Sequence, residues 1–392
     1  MATDRLLNPA DEPSPRPSVL QESGMPDLPS RSADVALKQL RVAEFLEDEG
    51  YDALWLQGQD NFAWFTGGGD NSAGAPGPGK AALLITADAR SIVADNVEAA
   101  RIFEEEVGGL GFQLKQSSWH EPGSRLRGDL CRGRKVASDV PAEGTVYEFE
   151  KVRRLRLVLT ELERTRYTDL GHDISHALEA TCRAVTPGET EADVAGQLGH
   201  RLLKRSVSPV QLYVAADDRA AQFRHPVFKD NPIRKRCLVS VFGRRHGLCA
   251  GATRIVSFDK PPAALVEQFN LAAMLDATYI YFSNPNELLA EVFRRALRIY
   301  EKFGSPHEWI LCDQGGVVGY SPQEVLVRPE SPFRLRENMA LSWNPTIGAA
   351  RSQDTVIIDD QGFEVVTSVL RWPTTTVCIK GQSIDRPAIL VR

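Results

Sequence analysis

From Ala33 onward, apolar and polar positions follow helical and strand periods. Val35, Leu37, Leu40, Val42, Phe45 and Leu46 recur at helical spacing and Gly50 supplies a stop, which predicts a helix. Residues 52–56 read as a strand, and Asn61-Phe-Ala-Trp-Phe-Thr-Gly67 as a second short element. Pro76-Gly-Pro-Gly79 reads as a loop. Residues 81–86 and 90–94 predict a hairpin across Ala87-Asp-Ala89. A helix over 97–106 stopped by Gly108-Gly109, then a strand near 112–114, completes an α/β layer over residues 33–148.

From about Val152 the pattern changes to long helices and strand pairs. Leu170, Ile174, Ala177, Leu178 and Thr181 mark one helix. Thr190-Glu-Ala-Asp193 resembles a capping box, with Asp for the usual Glu, and opens a second helix through Arg205. Residues 236–242 and 248–258 predict a hairpin, followed by helices near 263–281 and 286–303. The end is strand-rich at 339–344, 355–359 and 363–370, with Gln361-Gly362 as a turn. Two helix pairs, each followed by strands, predict a duplicated α+β unit over 152–392.

Composition narrows the class. The chain has 392 residues, 42% hydrophobic and 25% charged, as in ordinary globular proteins. A net charge of −6 offers no basic field for nucleic acid. No apolar run reaches the roughly 18–20 residues that span a bilayer. Residues 1–32, rich in Pro, Ser, Asp and Glu, read as a disordered tail without a secretory apolar core. Six scattered cysteines without a CxxC pair point to reduced thiols and a cytoplasmic location. Gly67-Gly-Gly69 lacks the following Lys-Ser/Thr helix of a phosphate loop and reads as a turn. His172-Asp-Ile-Ser-His176 has zincin-like spacing, but its Asp is short for a catalytic Glu and no third ligand is evident, so it reads as a solvated pair. Asp217-Asp218 fits a turn or a cation contact.

Several phrases, in order, resemble the creatinase, prolidase and aminopeptidase P family, peptidase family M24. They are Tyr51-Asp-Ala-Leu with Asn61-Phe-Ala-Trp-Phe-Thr-Gly-Gly68; Tyr213-Val-Ala-Ala-Asp-Asp-Arg219 leading to Arg224-His-Pro226; and Val241-Phe-Gly243 to Thr253-Arg254. Gln314-Gly-Gly-Val-Val-Gly-Tyr320, Ser342-Trp-Asn-Pro345 and Arg351-Ser-Gln-Asp-Thr355 follow. The resemblance implies an α/β creatinase-like N-terminal domain (33–148) followed by an α+β pita-bread C-terminal domain (152–392).

It also implies where the family's five metal ligands would fall. Here those positions hold Val241, Gly251, Gly316, Asn344 and Gln353. None offers a carboxylate or imidazole, so no metal and no cofactor is expected. The creatinase branch of the family hydrolyses without metal, using a cleft histidine as acid and base. His225 matches that histidine, whereas the places of its two substrate-gripping glutamates hold Thr253 and Ser352. Substrate contacts are expected from Arg254 and Arg351 to a carboxylate, Asn344 and Gln353 to an amide, and Trp343 and Tyr320 as walls. The readings left open are a metal-free hydrolase of a small C–N substrate or a non-catalytic relative; a ligand- or protein-binding pseudopeptidase, with a fold precedent in a histone chaperone; and an active Xaa-Pro metallopeptidase. A small molecule or short peptide is the expected partner, along with a second copy in a homodimer. Neither nucleic acid nor membrane is expected.

Overall fold

The structure is a computed structural model and describes residues 30–74, 77–369 and 371–392. Most of the expected tail (1–29), Pro76 of the expected loop and Leu370 of the last expected strand lie outside the described residues.

The N-terminal part begins with α1 (Arg31–Glu49), capped by the Ser30 hydroxyl and closed by Gly50 at φ 66°. β1 (Ala53–Leu56), α2 (Gln59–Phe65), β2 (Ala81–Ile85) and β3 (Arg90–Asp95) follow. Every residue of β1 and β2 is buried, as expected of continuous apolar runs. The helix expected over 97–106 shortens to α3 (Ala99–Arg101) running into a π turn over Ile102–Glu106. Asp95 accepts from the Val97 and Glu98 amides (2.9 and 3.1 Å), an Asx turn that delays the helix start. β4 (Gln113–Ser117), α4 (Gly123–Cys131), β5 (Val136–Ser138) and β6 (Val146–Tyr147) complete a mixed six-stranded sheet, order β4-β3-β2-β1-β5-β6. Then α5 (Phe149–Arg154) leads onward.

The C-terminal part has the two expected helix pairs. α6 (Glu161–Ala184) and α7 (Glu191–Leu203) both start with complete capping boxes, Thr160/Glu163 and Thr190/Asp193. After β7 (Ser208–Ala216) and the short α8 (Arg219–Gln222) comes the hairpin β8 (Arg236–Arg245) and β9 (Leu248–Ser257). α9 (Ala263–Phe282) and α10 (Leu289–Lys302) form the second pair.

The remaining strands are β10 (Gly315–Val318), β11 (Val325–Leu326), β12 (Met339–Trp343), β13 (Thr346–Ile347), β14 (Ala350–Arg351), β15 (Asp354–Asp359), β16 (Gly362–Val365), β17 (Thr374–Ile379), β18 (Gln382–Pro387) and β19 (Leu390–Val391). They build a sheet of order β19-β9-β8-β7 and a second of order β11-β10-β12-β15-β16. The β17–β18 hairpin was not expected, although Lys380-Gly381, both at positive φ, is a hairpin turn between β-branched runs.

The two sheets are stitched where they meet. Thr355 exchanges hydrogen bonds with the Gly251 amide and carbonyl (both 2.9 Å), and the Thr253 amide donates to the Gln353 carbonyl (3.1 Å). Three networks of buried charge sit around this frame. Lys38 of α1 bridges Asp34 (2.7 Å) and Glu163 at the start of α6 (2.6 Å). Arg156 binds Glu324 (2.7 Å) and the Asn61 side chain, again joining the N- and C-terminal parts. Behind β15, Arg254 and Arg386 share Asp354, and Arg386 also holds Asp276 (2.7 Å). Burial pushes the Asp276 carboxyl up to about 6, against the pull of Arg386 and Ser352.

Candidate functional site

A cavity of about 260 Å³ opens between the two C-terminal sheets. β7 contributes Gln211 and Tyr213, β8 Ser240 and Phe242, and the loop after α8 His225. From the opposite side come Asp313, Gly315, Gln323, Ser342, Asn344, Arg351 and Gln353.

Strand parity decides which hairpin residues face this space. Ser240 and Phe242 point in, so Val241 points out into the apolar core under α6. A Cβ built on Gly243, on the same face as Val241, would meet Ile174 of α6 at 3.0 Å. This corrects the expectation that Val241 occupies a cavity position. Successive strand residues point to opposite faces, so the residue between the inward Ser240 and Phe242 must point out. Phe242 pairs with Gly251 across the hairpin, and a Cβ at Gly251 would lie 2.6–2.8 Å from the Phe242 ring. The aromatic ring therefore fills the space beside Gly251. Gly316 is likewise closed: a Cβ there would sit 2.2 Å from the Val325 carbonyl oxygen, and it is Gly315 that lines the cavity.

The other two expected positions do face the cavity. The Gln353 side-chain Oε1 accepts from the Thr253 (2.8 Å) and Ser240 (3.2 Å) hydroxyls, and its Nε2 donates to Ser342 (3.3 Å). Asn344 donates to Asp313 (3.3 Å), while its Oδ1 is buried without a protein partner. Among the described lining residues, Asp313 is the sole carboxylate. Ser352, the other glutamate place of the creatinase comparison, is turned away and donates to Asp276 (2.6 Å).

His225 stacks on Tyr213 (centroids 5.2 Å, 25°) with its Nε2 3.8 Å from Asp313, and its side chain is 49% exposed. Burial and the Arg351 charge lower its pKa, leaving the ring neutral near pH 7 and able to accept a proton. Arg351 lines the cavity, but its guanidinium already donates to Thr346 (3.0 Å) and the Arg224 carbonyl.

Three expected contacts are corrected by their placement. Arg254 is fully buried, donating to Asp354 (3.0 Å) and to the Thr253 and Thr367 carbonyls. Trp343 stacks on Tyr279 (4.4 Å, 7°) behind the wall. Tyr320 donates to Glu163 (2.6 Å) in the junction with the N-terminal part. Arg254 is paired with Asp354 and backbone carbonyls, the compensation that a cation removed from water requires. Trp343 packs in the apolar cluster behind β12, and Tyr320 follows β10 with its ring in the core.

Sequence patterns missed Tyr213, Ser240, Phe242 and Asp313; the alternation along β8 is the signal that would have found two of them. Cys249 is buried beside Tyr320, and burial pushes its thiol far up, as expected of a packed cysteine. His172 and His176 lie exposed on α6, where His176 meets Arg205 (2.9 Å). Asp217 forms a turn at φ 51° and accepts from the Lys235 and Arg236 amides. No helix among the described residues is long and apolar enough to cross a membrane.

The profile of metallopeptidase family M24 matches residues 171–362, the segment that builds most of this cavity. The chain belongs to the M24 family. The chain also matches a probable dipeptidase PepE of Mycobacterium bovis, 22% identical over 225 residues. That match takes in 55% of this chain and 60% of the relative, so the chain spans less than two thirds of that protein's length.

Among solved structures, the Xaa-Pro dipeptidase from Bacillus anthracis superposes with TM-score 0.74 at 17% identity, covering 91% of this chain and all of that one. The N-terminal domain of FACT complex subunit SPT16 from Cicer arietinum superposes with TM-score 0.65 at 13% identity, covering 86% and 97%. These likenesses establish the two-part pita-bread architecture for this M24 chain.

Proposed function

We propose that this M24 protein binds a small amide-bearing ligand, such as a short peptide, in a cavity that has given up two-metal chemistry. The observation that carries the reading is the Phe242 ring packed over Gly251, next to a hydrogen-bonded set of neutral side chains around Gln353. Two ions about 3.5–4 Å apart need bridging carboxylates, and these residues supply none. Gln353 and Asn344 can instead exchange hydrogen bonds with an amide. Where hydrolysis occurs, His225 is the acid/base, with Asp313 beside it to favour the protonated ring.

A pure binding role is the second reading. It is favoured by the lack of an activated nucleophile on the wall, since Ser240 is tied to Thr253 (2.8 Å) and Gln353. The deciding experiment is a thermal-shift screen of dipeptides and small amides, followed by turnover assays of the hits with wild type and His225→Ala. We expect stabilisation by at least one amide ligand without added Mn²⁺ or Co²⁺. Turnover should fall at least about 100-fold in the variant and decline as acid protonates His225. Xaa-Pro cleavage that depends on stoichiometric Mn²⁺ or Co²⁺ bound at the inner positions would sink the proposal. Equal ligand binding with no turnover in either protein selects the binding role.

Cytoplasmic residence and a homodimer belong to the same proposal. Light scattering at micromolar concentration should give twice the chain mass; a monomer mass would remove the dimer.

A further inference from the structure

The His225 imidazole, the Cys312 thiol and the Asp313 carboxylate each offer a ligand atom, and these atoms lie within 4.8 Å of one another. We propose that they form a single-ion site for a thiophilic divalent cation, zinc above all, on the solvent side of the cavity. These are not the positions that Asn344 and Gln353 occupy, and the cluster involves none of the phrases that mark the family's metal ligands.

The spacing of the three ligand atoms is close to what a zinc ion needs. Zinc bonds of about 2.0–2.3 Å place neighbouring ligand atoms roughly 3.5 Å apart, so the cluster must close by about 1 Å. His225, half exposed, has room to make that movement. One nitrogen, one sulfur and one oxygen favour zinc over Mg²⁺ or Ca²⁺, which prefer all-oxygen shells. Three protein ligands also leave a fourth position open, as in zinc sites that keep a bound water.

The surroundings support each ligand. Asn344 donates to Asp313 (3.3 Å), fixing that carboxylate, and Tyr213 holds the His225 ring by stacking. Burial raises the Cys312 thiol, the Arg351 guanidinium 4.0 Å from its sulfur opposes that rise, and a bound cation would displace the thiol proton. The second nearby cation, Arg224, is offset by Glu308 (2.8 Å). Asp313 and a Cys312 thiolate then bring two negative charges to the ion.

The inference goes beyond the amide-binding reading and stands apart from it. With its Nε2 on a cation, His225 keeps only its Nδ1–H and cannot accept a proton at Nε2. Zinc would therefore hold the site in a state without proton transfer at that nitrogen.

Chelator-treated full-length protein titrated with Co²⁺, a spectroscopic surrogate for Zn²⁺, tests the proposal. The expected result is one equivalent bound, with a thiolate-to-cobalt charge-transfer band in the near ultraviolet that added Zn²⁺ displaces. Cys312→Ser and Cys312→Ala should lose the band. His225→Ala and Asp313→Asn should bind Co²⁺ more than about 100-fold more weakly, beyond the 10–100-fold of an outer-shell change. Cys378→Ser, which alters the exposed cysteine, should keep the band. Circular dichroism confirms that each variant is folded.

No band in the wild type, or an unchanged band in folded Cys312→Ser, overturns the proposal. So does loss of binding in Gln353→Ala with retention in Cys312→Ser, which would place the ion inside the cavity. Peptide-induced thermal shifts of metal-free protein report on the amide reading separately, so either can fail alone.

Discussion

Asp354→Ala is expected to lower the stability of the folded protein by about 3–5 kcal/mol, the range seen when one partner of a buried ion pair is removed. The Asp354 carboxylate is 2% exposed and serves two guanidinium groups, Arg254 at 3.0 Å and Arg386 at 2.6 Å, besides the Thr367 hydroxyl at 2.8 Å. Truncation leaves Arg254 facing Glu179 at 3.8 Å and Arg386 with Asp276 alone. Both cations are about 1% exposed, so water cannot replace the lost carboxylate.

The effect should also reach the cavity, because Asp354 follows Gln353 and Arg386 ties the β17–β18 hairpin to the same strand. Urea unfolding gives the free energy, and titration of a cavity ligand gives the binding loss. A change under about 1 kcal/mol would show that the network contributes little net stability.

Lys38→Met should cost a similar amount, about 3–5 kcal/mol, for a different reason. The Lys38 ammonium is fully buried between Asp34 and Glu163, at 2.7 and 2.6 Å. Methionine fills much of the same volume but leaves two carboxylates facing one another without a cation. Asp34 keeps the Thr160 hydroxyl, and Glu163 keeps the Tyr320 hydroxyl (2.6 Å) and the Thr160 amide (2.7 Å). Because α1 belongs to the N-terminal sheet and Glu163 to α6, the variant should loosen the junction between the two parts. Urea denaturation should show the drop. A variant as stable as wild type at pH 7 would show that the carboxylates find other compensation.

The main elements of this fold were legible along the chain. The α1 stripe with Gly50, the Thr190–Asp193 cap, the β2–β3 and β8–β9 hairpins and the two C-terminal helix pairs are local patterns, and local physics sets them. The helix expected over 97–106 starts two residues late and turns π, because Asp95 takes the Val97 and Glu98 amides. The ordered phrases pointed to the M24 architecture, which the fold comparison upholds.

The chemistry of the cavity was legible only in part. From the sequence alone, the neutral Asn344 and Gln353, the histidine at 225 and the scarcity of acids in the key phrases were already fixed. Which side chain stands beside Gly251, where Arg254 spends its charge, and that Cys312 and Asp313 approach His225 were decided by the tertiary structure. The reason is physical. A strand's side chains alternate faces, and only the packing of β8 against α6 decides that Phe242 turns inward and Val241 outward. A buried charge goes wherever folding brings its counter-charge, and residues 254, 354 and 386 meet only when the sheets close.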